Sequence, residues 1–277
     1  MVSLLIDCHE LAAQLATEAA PVVLDVRWTL GGPSAQGHFR SGHIPGAHFV
    51  DLDRELSAPP GPGRHPLPDA ALFAAAMRRH GVDRSRPVVV YDAATGTSAA
   101  RAWWLLRYFG RSNVALLDGG YAAWTAAKLP VEEGVDSDPV AGDFDAMPGG
   151  MPLLDAEGAA AMARTGVLVD ARAPERFRGE IEPVDPIAGH IPGARNLPAQ
   201  QTQRPDGTFL SPGELRDRYA AIGVAPGKPV AVYCGSGVVA TEGVFAMGLA
   251  GIDAALYAGS WSEWITDPDR PVEVGIQ

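Results

Sequence analysis

The residues best placed to do chemistry surround Cys234. It ends the apolar run Val230-Ala231-Val232-Tyr233 and is followed by Gly235-Ser236-Gly237-Val238-Val239. Thr241 to Leu249 then reads as helix. A strand, a tight glycine-spaced loop and a helix, in that order, aim several backbone N–H groups at one point. The positive end of the helix dipole adds to them. A cysteine at that point is expected to be held as its thiolate, the form that reacts. The plainer reading of a cysteine at a strand end is a small buried apolar side chain. The Gly-Ser-Gly turn favours chemistry.

The chain that must position this cysteine has 277 residues, enough for two ordinary domains with separate cores. A net charge of −11 argues against a general nucleic-acid binder or an anionic-membrane binder, because nothing offsets phosphate repulsion. A small anionic substrate needs only a local positive site and is still allowed. No apolar run approaches a membrane span, and the start lacks a basic-then-apolar leader pattern. The two cysteines, Cys8 and Cys234, do not form a Cys-x-x-Cys pair, so neither a disulfide framework nor a metal site is expected. These features predict a reduced, cytoplasmic α/β protein without a cofactor.

Strands alternate with helices, and the whole series occurs twice. Val23 to Arg27 matches Val167 to Arg172, and Gly42-His43-Ile44-Pro45-Gly46-Ala47 matches Gly189-His190-Ile191-Pro192-Gly193-Ala194. Val90-Tyr91-Asp92 matches Val232-Tyr233-Cys234, and Gly119 to Trp124 matches Gly259 to Trp264. The spacing between copies shrinks from 147 residues at the two histidines to 140 at the two tryptophans, as a duplication with small deletions would give. The expected organisation is a first domain over 1–132, a Pro/Gly/Asp-rich linker over 133–150 and a second domain over 151–277. Each domain should hold a mostly parallel sheet with helices on both faces. Ligands of such sheets sit beyond the carboxyl ends of strands, where Cys234 and Asp92 both lie. Only the second copy carries a thiol at that position.

Two copies of Gly-His-Ile-Pro-Gly-Ala, with Cys-Gly-Ser-Gly-Val in the second alone, resemble the tandem-domain rhodanese family of thiosulfate and 3-mercaptopyruvate sulfurtransferases. Asp170-Ala171-Arg172, Arg176-Phe177 and Gly259-Ser260-Trp261-Ser262-Glu263-Trp264 extend the resemblance over nearly the whole chain. It implies that Cys234 accepts a sulfane sulfur as a persulfide and passes it to a thiophilic acceptor: cyanide, thioredoxin or a small thiol. It also implies that residues 235–239, including Gly235, Gly237, Val238 and Val239, cradle the cysteine.

The resemblance points two ways on the donor. Gly235-Ser236 looks like the mercaptopyruvate type. That type also has a second arginine nine residues after the one matching Arg176, and here the position holds Asp185, as in the thiosulfate pattern. Arg176 is expected to pair with the donor's carboxylate or sulfonate, with Arg178 as a second candidate. Ser236 is expected to relay a proton, and His43, brought across from the first domain, to polarise it. The plainer readings are a turn-stabilising role for His43 and His190, and an ion pair of Arg176 with Glu180 or Glu182.

Two rivals belong to other classes. A cysteine phosphatase or arsenate reductase would need an arginine six residues after the cysteine, where this chain has Ala240. A non-catalytic rhodanese-like binding or regulatory module would usually lack the cysteine, as the first copy does at Asp92.

Overall fold

The computed structural model describes residues 3–135 and 140–275; residues 136–139 of the expected linker lie outside the described residues. The chain forms two compact units. The first contains Met1–Ala58, Pro68–Met151 and Pro205–Thr208; the second contains Pro59–Leu67, Pro152–Arg204 and Phe209–Gln277. Each half of the chain therefore lends one short loop segment to the other unit. The segment Pro59–Leu67 brings Arg64 and His65 into the unit that holds Cys234.

The first unit has five parallel strands: β1 (Leu5–Ile6), β2 (Val22–Asp25), β3 (Ala47–Phe49), β4 (Val88–Tyr91) and β5 (Val114–Leu117), in the order β1-β5-β4-β2-β3. The second unit repeats this with β6 (Leu153–Leu154), β7 (Val167–Asp170), β8 (Arg195–Asn196), β9 (Val230–Tyr233) and β10 (Ala255–Tyr257), in the order β6-β10-β9-β7-β8. The central strands β2, β4, β7 and β9 are buried at every position. Helices cover both faces of such a sheet, so its strands are continuous apolar runs rather than alternating ones. Register repeats too: Asp25 pairs with Tyr91 in the first sheet, and Asp170 with Tyr233 in the second.

Helix starts follow the capping residues. The carboxylates of Asp7, Asp69 and Asp155 each accept from backbone N–H groups of the first turn, and Ser211 with Glu214 closes a full capping box.

The two histidine turns do the same work. His43 exchanges backbone hydrogen bonds with Glu132 at 2.9 and 3.0 Å, places Nδ1 2.8 Å from the Phe39 carbonyl and stacks on the Phe39 ring at 3.8 Å. His190 does likewise with Glu273, the Phe177 carbonyl at 2.7 Å and the Phe177 ring at 3.7 Å. These contacts support the plainer, turn-stabilising reading of His43 over the expectation that it polarises Ser236. Its ring is buried and engaged in the turn of the first unit, and a copy with the same contacts serves the second.

Candidate active site

Cys234 follows the last residue of the central strand β9 and is 2 % exposed. The turn after β10 clamps its backbone. Ser260 Oγ accepts the Cys234 N–H at 3.1 Å, and the carbonyls of Cys234 and Gly235 accept from the N–H groups of Trp261 and Ser262. Ser260 does this from a left-handed conformation, φ 56°, which side chains other than glycine rarely adopt. The first unit has Gly120 at the matching position with φ 57°. The second copy thus accepts local strain in order to place a hydroxyl on the cysteine's amide.

The loop then turns back over the sulfur. The Gly237 N–H donates to Cys234 Sγ at 3.2 Å, and the helix Val239–Leu249 follows. Gly237 has φ 81°, and a Cβ there would sit 2.2 Å from the Ala258 carbonyl oxygen. Glycine is required on both counts. Gly237→Ala should lower stability by about 1–3 kcal/mol and displace the donor to the sulfur. Paired urea melts and turnover measurements check this, and a variant with native stability and full turnover would show that the loop does not need this turn.

The first unit shows what the cradle is shaped to hold. Asp92 Oδ1 accepts from the N–H groups of Ala94 and Gly96, and Oδ2 from those of Ser98 and Ala99 and from the Ser98 hydroxyl, at 2.9–3.3 Å. Burial pushes this carboxyl above its ordinary range against the pull of those donors. Four of the five are N–H groups that can only donate, so both oxygens act as acceptors. In the second unit the corresponding N–H groups of Ser236, Val238 and Ala240 have no hydrogen-bond acceptor among the described residues. The left-handed glycine falls one position earlier there, at Gly237 rather than at the counterpart of Gly96.

Ser236 is buried, with its Oγ 2.7 Å from His65 Nδ1. His65 is itself 7 % exposed. The imidazole on this hydroxyl therefore comes from the short segment Pro59–Leu67. Its Arg64-His65 pair stands among prolines and glycines, and that contrast was the available signal.

Arg176 lies in the short helix Pro174–Phe177, and its guanidinium lies over Gly235. It bonds Glu182 at 2.6 and 3.0 Å and Asp185 at 3.0 Å, while Arg64 Nη1 bonds the other oxygen of Asp185 at 2.6 Å. Burial pushes the Glu182 carboxyl up, but the bond from Arg176 and the N–H groups of Asp185 and Val184 outweigh it and hold the group below its ordinary range. Arg178 goes elsewhere: its guanidinium pairs with Glu180 and lines a cleft of about 600 Å³ with Gly193, Arg195 and Lys228. Cys234 is not part of that cleft's lining. Val238 is buried at the helix cap and Val239 opens the helix.

Among the described residues no cluster of three or more His, Cys, Asp or Glu could hold a metal ion, and no helix is long and apolar enough to cross a membrane.

Comparison with known proteins identifies the family. The family model of the rhodanese-like domain matches residues 7–127 and again 155–267. A Pseudomonas aeruginosa protein, provisionally named 3-mercaptopyruvate sulfurtransferase, is 48 % identical over 284 residues, 98 % of each chain. A Mycobacterium tuberculosis protein, provisionally named thiosulfate sulfurtransferase SseB, is 46 % identical over 98 % of this chain and 97 % of its own. The crystal structure of SseA from Escherichia coli, presented as the rhodanese fold of 3-mercaptopyruvate sulfotransferases, superposes with a TM-score of 0.84 at 33 % identity, over 94 % of this chain and 99 % of that one. With both halves matched by one domain model and relatives aligned end to end, the chain belongs to the rhodanese-like family and carries two copies of its domain.

Proposed function

We propose that this sulfurtransferase takes a sulfane sulfur onto Cys234 from 3-mercaptopyruvate in preference to thiosulfate, and delivers it to a thiophilic acceptor. The observation that carries the persulfide reading is Asp92. A carboxylate extends Cβ–Cγ–Oδ, and a cysteine persulfide extends Cβ–Sγ–Sδ, so the charged atom lies two bonds beyond Cβ in both. The first copy fills its cradle permanently with an acceptor of that reach. The second has a thiol and N–H groups left to receive one, in the manner of an oxyanion hole.

The two donors make different demands. Attack of the Cys234 thiolate on thiosulfate breaks the S–S bond and releases sulfite, leaving the persulfide anion. Attack on the thiol sulfur of 3-mercaptopyruvate breaks a C–S bond and releases pyruvate as its enolate, whose carbon must gain a proton. Ser236 hydrogen-bonded to His65 can supply it. A buried serine–imidazole pair beside the cysteine serves the second donor and is idle for the first. Gly235, Gly237, Val238 and Val239 are the cradle in this reading, and Arg176 binds the donor's anionic end.

The acceptor would be cyanide, thioredoxin or another small thiol, and the setting the cytoplasm. The domains would run over 1–132 and 151–277, joined by 133–150. Side-by-side kcat/KM for the two donors tests the preference, since specificity is that ratio. 3-Mercaptopyruvate is expected to win by about tenfold or more. Thiosulfate winning would overturn the donor assignment, and no turnover with either would favour a non-catalytic module.

A further inference from the structure

We infer that the second unit carries a further binding site, for a small organic anion, in the cleft where its strands begin. The cleft lies at the opposite end of the sheet from the cysteine loop and plays no part in sulfur transfer.

The cleft has a volume of about 600 Å³, within the range of small-molecule sites. It sits at the amino ends of three neighbouring parallel strands. Val167 and Arg195 are the first residues of β7 and β8, and Lys228 precedes β9. Cys234 follows the other end of β9, six residues beyond Lys228, which in extended chain is roughly 20 Å. Val167, Phe177 and Ala194 give the cleft a buried apolar floor. Arg178, Arg195 and Lys228 give it its charge, and no Asp or Glu is among the described residues that line it. Arg178 is engaged by Glu180. The side chains of Arg195 and Lys228 make no hydrogen bond or ion pair among the described residues.

The first unit has the same positions and neutralises them. Gly81-Val82-Asp83 and Arg86-Pro87-Val88 match Gly223-Val224-Ala225 and Lys228-Pro229-Val230. Arg86 Nε donates to Asp83 Oδ2 at 2.7 Å, and its Nη2 donates to the Gly81 carbonyl at 2.9 Å. In the second unit the cation is kept, but Ala225 stands where the carboxylate was. The strand registers place His48 opposite Leu24 and Arg195 opposite Val169, so these two also correspond. His48 is buried, whereas Arg195 is exposed. The second copy thus gathers cations without a counter-charge at a site where the first has a satisfied ion pair and a buried imidazole. Like charges in one cleft repel, and an anion seated among them reverses the sign of that term. The apolar floor adds a preference for an anion with a hydrocarbon body. The net charge of −11 turns away a large polyanion but leaves this local field to a small one. The ligand class is therefore an apolar ring or chain bearing a carboxylate, sulfonate or phosphate.

The test is a fluorescence titration of the full chain with anilinonaphthalene sulfonate, an anion on an apolar ring system, and with its uncharged analogue phenylnaphthylamine. Wild type is compared with R195E/K228E and with A225D, all at exposed positions. The anionic probe should bind wild type with a stoichiometry of one per chain and weaken as salt is raised. R195E/K228E should raise its Kd by about tenfold or more, because each reversal exchanges attraction for repulsion. A225D, which returns the first unit's carboxylate to the cation at 228, should raise it a few-fold. The uncharged probe should not distinguish the three proteins. Saturating thiosulfate should leave the anionic probe in place, since the cysteine loop is at the far end of β9. No saturable binding, an equal Kd in wild type and R195E/K228E, or displacement by thiosulfate would overturn the proposal. Turnover of both variants should stay within about twofold of wild type, as expected of exposed substitutions away from the site. The result is thus separate from the persulfide reading, which is tested at Cys234.

Discussion

Replacing Cys234 with serine is expected to abolish turnover with both donors, a loss on the order of 10⁴-fold or more. Sulfur chemistry sets the size of the effect. A thiolate attacks a sulfane sulfur and stores it in an S–S bond that another thiol can reopen. A serine hydroxyl is not ionised at neutral pH and forms no comparably exchangeable O–S bond. The fold should not change, since serine Oγ can accept the Gly237 N–H that now reaches Sγ, and the Ser260 and Trp261 contacts involve only the backbone of residue 234. Turnover and a thermal melt measured together check this. A Cys234→Ser protein with native melting and retained turnover would place the chemistry elsewhere.

The second large effect should depend on the donor. Ser236→Ala and His65→Ala are each expected to cut kcat with 3-mercaptopyruvate by about 10²–10⁴-fold, the range of positioned proton transfer. With thiosulfate they should change it only a few-fold, because departing sulfite needs no proton. The double variant should be little worse than either single one, as expected for groups acting as a unit. His43→Ala serves as the contrast. Its ring is stacked on Phe39 in the first unit, so its effect should appear as lost stability, equal for both donors. Equal losses with both donors for Ser236→Ala would mean that the hydroxyl shapes the loop rather than moving a proton.

The fold was legible because its signals are local and occur twice. Continuous valine and leucine runs marked the central strands, Asp and Ser caps marked helix starts, and the Val-Tyr-Asp to Val-Tyr-Cys correspondence fixed the strand ends that flank the loops. Cys234 and its cradle were legible for the same reason, since strand, loop and helix are contiguous. Arg64 and His65 were not. His65 lies 171 residues before Ser236, with Arg64 beside it in the other half of the chain, and they reach the cysteine loop through a segment whose composition signals only turns. The ring contacts of His43 were not legible either, because sequence shows that a histidine recurs, not which atoms its ring meets. The matching contacts of His43 and His190 reveal a shared structural task. Asp185 stands where a second cation was sought, and its bond to Arg64 lies outside what sequence spacing can show.

The central claim is that Cys234 carries a sulfane sulfur in a cradle whose first copy is filled by Asp92. Intact-mass measurement tests it most directly. Protein incubated with 3-mercaptopyruvate or thiosulfate and freed of excess donor should gain one sulfur atom, about 32 Da. The gain should be removed by cyanide or dithiothreitol and be absent from the Cys234→Ser protein. No gain with either donor, or the same gain in the serine variant, would contradict the account.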